Sequence, residues 1–114
     1  MEEILVQDLL VSLAAFCEQT GKSPQLLEAE VLANRMFIVE IQGQHFVPSF
    51  FLEQRYDRRQ MASVCKLLGS LPGGSKLQFF TTPKGSLGGQ TPLEALADRK
   101  FAAVRRTAQG FAER

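Results

Sequence analysis

The sequence predicts a mainly α fold with a small β-hairpin, an α+β arrangement of an N-terminal helix pair, a two-stranded hairpin and a C-terminal bundle of short helices. Three observations carry this. Apolar residues recur at helical spacing through the first twenty residues. The pattern then turns strand-like across residues 36–47. Beyond residue 56, cap and breaker residues cut the chain into short helical pieces.

The first helix is expected over residues 4–20, with Ile4, Leu5, Leu9, Leu10, Leu13, Phe16 and Cys17 on one face and Gly21 ending it. Ser23-Pro24 reads as the N-cap and first-turn proline of a second helix over residues 24–33. Leu26, Leu27, Val31 and Leu32 would face inward. Residues 36–41 read as a strand, Gln42-Gly43 as its turn and Gln44-His45-Phe46-Val47 as the return strand, stopped by Pro48. A hairpin this small must lean on helices.

Asp57 followed by Gln60 resembles a capping box, opening a helix with Met61, Val64, Cys65 and Leu68 as its stripe and Gly69 at its end. Ser75 is read as the cap of a short helix through Phe80, terminated by Thr82-Pro83. A glycine-rich loop precedes Thr91-Pro92-Leu93-Glu94, which has the N-cap threonine, N1 proline and N3 glutamate of a helix start. That helix runs to about Ala97. The last, from about Lys100 to Glu113, carries Phe101, Val104, Ala108 and Phe111 inward. Residues 1–53 thus form a helix–helix–hairpin subdomain and 54–114 a helical one, sharing one core.

With 114 residues, 45% of them hydrophobic and 22% charged, the chain suits one globular domain and excludes wholesale disorder. No apolar run approaches the roughly 20 residues that span a bilayer. Met1-Glu2-Glu3 lacks the basic start of a secretory signal, and Cys17 and Cys65 are too few for a disulfide framework. A cytoplasmic protein, with no membrane partner, is expected.

Charge is unevenly spread. Residues 1–53 hold two basic side chains against eight acidic ones, and residues 54–114 hold eleven against four. Such polarity can draw an acidic partner, pair the two halves of the chain with each other, or drive head-to-tail dimerisation.

Catalysis needs a nucleophile or base, an orienting partner and an electrophilic stabiliser. The chain offers one histidine, His45, within the hairpin, and two cysteines on apolar helix faces. A non-enzymatic protein without cofactor is expected. One histidine and two distant cysteines make no metal-ligand spacing. The stretch Gly85-Ser86-Leu87-Gly88-Gly89 lacks the Gly-Lys-Ser/Thr ending of a P-loop, and reads as a connector needing positive φ.

Two basic clusters remain. Arg55, Arg58, Arg59 and Lys66 could neutralise DNA phosphates. Against a DNA reader, the second helix stands where a recognition helix would and exposes Glu28 and Glu30 rather than Arg, Lys, Asn or Gln. The second cluster, Lys100, Arg105 and Arg106 with Arg99 and Arg114, falls at the C-terminal helix. It suits docking on a protein, because arginine is enriched at interface hot spots.

The strings Lys76-Leu77-Gln78-Phe79-Phe80-Thr81-Thr82-Pro83, Leu87-Gly88-Gly89-Gln90-Thr91-Pro92-Leu93-Glu94-Ala95-Leu96 and Val104-Arg105-Arg106-Thr107-Ala108 resemble the Xre/MbcA/ParS-type antitoxin toxin-binding domain. The resemblance covers about residues 57–114. It implies a protein of a bacterial toxin–antitoxin system that grips a RES-type, NAD-consuming toxin and obstructs its active site. It implies dimerisation too, and in many members repression of their own operon. Partner-binding residues are then expected at Leu87, Gly88, Gly89, Lys100, Arg105 and Arg106, with Arg55, Arg58, Arg59 and Lys66 serving the alternative of a DNA-binding regulator. Phe50, Phe51 and Leu52 are expected as the apolar surface that a homodimer would cover.

Overall fold

The computed structural model describes residues 9–113. Among these residues three short strands and six α-helices follow one another as β1 (Leu10–Ser12), α1 (Leu13–Thr20), α2 (Pro24–Leu32), β2 (Val39–Ile41), β3 (Gln44–Pro48), α3 (Arg58–Leu67), α4 (Gly73–Thr81), α5 (Pro92–Ala97) and α6 (Phe101–Ala112). Two 3-10 turns, Ser49–Leu52 and Gly85–Leu87, join them. The fold is α+β, as the sequence predicts, but its sheet has three antiparallel strands in the order β1-β3-β2.

The third strand comes from the stretch expected to be helical. Leu10 pairs with Pro48, Val11 with Val47 and Ser12 with Phe46. A short apolar run such as Leu9-Leu10-Val11 suits either period, and the uncovered edge of β3 decides. Ser12 then caps α1, its hydroxyl accepting from the Ala15 N–H at 3.1 Å. The rest of that predicted helix, residues 4–8, lies outside the described residues. The hairpin itself is as expected. Gln42 and Gly43 both have positive φ, +52° and +80°, which a two-residue type I′ loop requires. The strand expected from residue 36 pairs only from Val39, and Met36 and Phe37 enter the core unpaired.

Helix α4 begins two residues before the expected Ser75 cap, after Pro72 and with no side-chain cap. Gly73 can open it because it has no side chain. A Cβ there would run into the Ile38 carbonyl oxygen ahead of β2. The capping box of α5 forms as expected. The Glu94 N–H reaches the Thr91 hydroxyl at 3.1 Å, and the Glu94 carboxylate accepts from the Thr91 N–H at 2.8 Å.

The larger core is built around aromatic rings from both halves of the chain. Phe80 lies 6.0 Å from Phe37, 5.1 Å from Phe50 and 5.4 Å from Phe79, centroid to centroid. Helices α3 and α6 pack together beneath them, with Val64, Cys65, Leu68, Val104 and Ala108 fully enclosed. A smaller cluster of Phe16, Leu27, Met36 and Val47 holds α1 and α2 to the sheet. Phe50 is therefore core and not dimer surface, and Phe51 and Leu52 are half-buried. Among the described residues the exposed leucines are Leu9, ahead of β1, and two on α2. Leu26 is 48% and Leu32 is 76% exposed, whereas Leu27 is buried and Val31 half-buried. Six of the nine α2 residues are apolar, too many for all to find one buried face.

Burial pushes the Cys65 thiol up to about 12, against the pull of the Lys76 ammonium. Lys76, itself buried, is lowered by loss of hydration, opposed by Cys65. An unfolded thiol ionises near 8.5. Between there and about 12 the folded chain keeps a proton the unfolded chain has lost, so stability falls as pH rises. Lys76 acts with the opposite sign, but its shift is the smaller. The urea midpoint of the protein is expected to drop between pH 8.5 and 11, and Cys65→Ala to flatten that slope. An equal slope in the variant would exclude the thiol as its cause.

Candidate docking surface

The residues after α4 must reverse direction within a few positions. Lys84 and Gln90 close the reversal, the Lys84 N–H donating to the Gln90 carbonyl at 3.0 Å and the Gly89 N–H to the Lys84 carbonyl at 2.9 Å. Gly88 and Gly89 take φ of +66° and +90°, which side-chain-bearing residues rarely adopt. Leu87 is buried and anchors the turn from below, so its side chain is not part of the outer face. What the turn offers outward is the backbone of Gly88 and Gly89, both exposed.

Side chains stitch the turn to α5 and α6. Ser86 Oγ and Thr107 Oγ1 lie 2.8 Å apart, joining the turn to α6. Gln90 spans the junction of α5 and α6, donating to Asp98 Oδ2 at 3.2 Å and accepting from Lys100 Nζ at 2.9 Å. Lys100 also stands 4.0 Å from Asp98, so this predicted docking residue acts mainly as a staple. Arg105 and Arg106 are exposed on α6, and Arg105 rests 5.8 Å from the Phe101 ring centre. Arg114 lies outside the described residues.

Two residues beyond the expected binding set complete the surface. Arg99 holds φ of +63° at the end of α5. Its N–H donates to the Leu96 carbonyl at 3.1 Å and the Lys100 N–H to the Ala95 carbonyl at 2.9 Å, the two bonds of a Schellman ending whose left-handed position usually carries glycine. Arg99→Gly is expected to raise stability by about 0.5–1 kcal/mol by relieving this conformation; an unchanged urea midpoint would show that the arginine is unstrained. Lys84 lies 4.6 Å from the Phe111 and 5.1 Å from the Phe79 ring centres. No local pattern could have revealed a lysine clamped by rings so far along the chain.

The second basic cluster is less coherent. Arg55 pairs with Glu53 at 2.9 Å and lies 5.0 Å over Tyr56. Arg58 and Arg59 are exposed in the first turn of α3 and line a groove of about 620 Å³ together with Arg35. The same groove holds Glu30, Glu53 and Asp57. Lys66 is exposed at the far end of α3, outside the groove. On α2, Glu28 is exposed and Glu30 is tied to Lys22 at 3.1 Å.

Among the described residues the ion pairs are Lys22–Glu30, Glu53–Arg55, Asp98–Lys100 and, when the imidazole is protonated, Glu40–His45. All join near neighbours in sequence or across the hairpin. None joins the acidic half to Arg99, Arg105 or Arg106. His45 sits exposed across the hairpin from Glu40, and no group of His, Cys, Asp and Glu among the described residues could hold a metal ion. No described helix is long and apolar enough to cross a membrane. Compared with family models, curated proteins and solved structures, the chain matches none.

Proposed function

We propose that the chain is a non-enzymatic protein-binding module of the antitoxin kind. It docks on a partner enzyme of the cytoplasm, of which a RES-type NAD-consuming toxin is the leading example, and neutralises it. The carrying observation is that the Gly88-Gly89 backbone and the side chains of Arg99, Arg105 and Arg106 are all exposed, the three cations making no ion pair among the described residues. The backbone beneath is pinned by the Leu87 anchor, the capping box and the Gln90 bridge. A preorganised surface loses little entropy on binding, so its charge-assisted bonds are retained as affinity. An acidic face on the enzyme is what such a surface would meet.

Tagged protein drawn from the lysate of its native host is expected to carry a stoichiometric enzyme, and the double variant Arg105→Glu/Arg106→Glu to lose it. If the double variant captures the same enzyme in the same amount, the face is wrongly assigned. If only DNA co-purifies and salt removes it, the protein is a regulator acting through Arg58, Arg59 and Lys66.

A further inference from the structure

The geometry points to a second binding site, for a small aromatic carboxylate, in the groove where the two halves of the chain meet. It is separate from the docking face, since no residue of that face lines it. Its lining comes from α1, the end of α2, the 3-10 turn after β3 and the start of α3, and it encloses about 620 Å³. Pockets that hold small molecules span roughly 300–1,000 Å³ and combine an apolar lining with a few charged groups.

The apolar part suits a flat ring. Phe16, Met36, Phe50, Tyr56 and Met61 line the groove and are nearly enclosed by the fold, and Phe51 is half-buried beside them. Four of these six are aromatic and offer faces and edges to another ring. The other two are methionines, whose flexible thioethers adapt to its outline.

Charge selects the head group. Four cations and three carboxylates line the groove. Each carboxylate is already engaged. Glu30 pairs with Lys22 at 3.1 Å, Glu53 accepts from Arg55 Nε at 2.9 Å, and Asp57 caps α3 by accepting from the Gln60 N–H at 3.0 Å. Arg35, Arg58 and Arg59 remain, exposed and with no ion pair among the described residues. The planar fork of a guanidinium matches the two oxygens of a carboxylate. A metal cation would be repelled by this set, and the phosphates of a nucleic acid gain nothing from the apolar lining.

The position of Arg58 and Arg59 is an independent observation. They are the first two residues of α3, where the aligned peptide dipoles leave partial positive charge and a cation weakens the helix. Neither is buried and neither makes an ion pair, so nothing in the fold requires them there. A carboxylate bound beside them relieves the repulsion.

The test is a titration of the isotope-labelled full chain with naphthoate at neutral pH, followed by amide shifts and by the unfolding midpoint. Naphthamide supplies the ring without the charge, acetate the charge without the ring, and inorganic phosphate a different anion. Naphthoate is expected to shift Thr20, Arg35, Leu52, Arg58 and Ala62 saturably, and to raise the midpoint because it binds the folded chain. Naphthamide should bind about tenfold or more weakly, and acetate and phosphate should not saturate. Arg58→Gln/Arg59→Gln should weaken naphthoate about tenfold or more, while keeping or raising the midpoint measured without ligand. A merely structural role for the two arginines would lower that midpoint. Arg35→Gln, in the other half of the chain, should weaken binding as well, and it decides the matter if the double variant folds poorly. The proposal falls if naphthoate fails to saturate at millimolar concentration, if naphthamide or phosphate binds as tightly, if Gly88 and Arg105 shift as strongly, or if either arginine variant binds as the parent does. All of this is read on the chain alone, so it stands or falls whatever enzyme the docking face captures.

Discussion

Phe80→Ala is expected to cost about 3–5 kcal/mol, a large part of the roughly 5–15 kcal/mol that holds a domain of this size together. Phe80 is fully enclosed, and its ring touches those of Phe37, Phe50 and Phe79. Those three come from the stretch before β2, the 3-10 turn after β3, and α4. Truncation removes the apolar transfer energy and leaves a cavity whose walls belong to separate elements, so they cannot all close on it. Phe80→Leu keeps most of the volume and should lose less than half as much. Urea unfolding of the three proteins checks both statements. An alanine variant as stable as the parent would mean that the aromatic cluster is not where the two halves are joined.

Reversing both arginines of α6 is expected to weaken binding to the captured enzyme by about a hundredfold or more, since charge-assisted contacts contribute about 1.5–3 kcal/mol each and reversal adds repulsion. The unfolding midpoint should stay nearly unchanged, because Arg105 and Arg106 are exposed and make no ion pair among the described residues. Affinity of the parent should fall with added salt, and that of the double variant should respond less. A loss of affinity accompanied by a loss of stability would point to misfolding and not to docking.

What could be read from the sequence was what depends on neighbours a few residues apart. The Thr91–Glu94 box, the Ser23-Pro24 start and the Gln42-Gly43 turn are contained within four residues, and all stand where they were expected. What failed depends on distant chain. Leu10, Val11 and Ser12 are a strand because β3, more than thirty residues on, has an edge to cover. Gly73 opens α4 because the Ile38 carbonyl lies against it. Phe50 is buried because Phe37 and Phe80 close over it, although its own neighbourhood resembles an exposed apolar patch.

The docking face was legible to a similar degree. The polarity of the charges and the Leu-Gly-Gly turn are plain in the chain. That Lys100 is tied to Gln90 and Asp98 and that Leu87 points inward both depend on how α6 lies against the turn. The same spatial fact separates the two basic clusters. One shares its groove with three carboxylates, whereas Arg99, Arg105 and Arg106 of the other make no ion pair among the described residues.

The most direct test of the antitoxin role is the activity of the captured enzyme, assayed with increasing amounts of the parent protein and of Arg105→Glu/Arg106→Glu. Inhibition that is complete at an equimolar ratio with the parent, and absent with the double variant, is the predicted result. An enzyme that keeps full activity when saturated with the parent protein would contradict it, and would leave a binding module that does not neutralise what it binds.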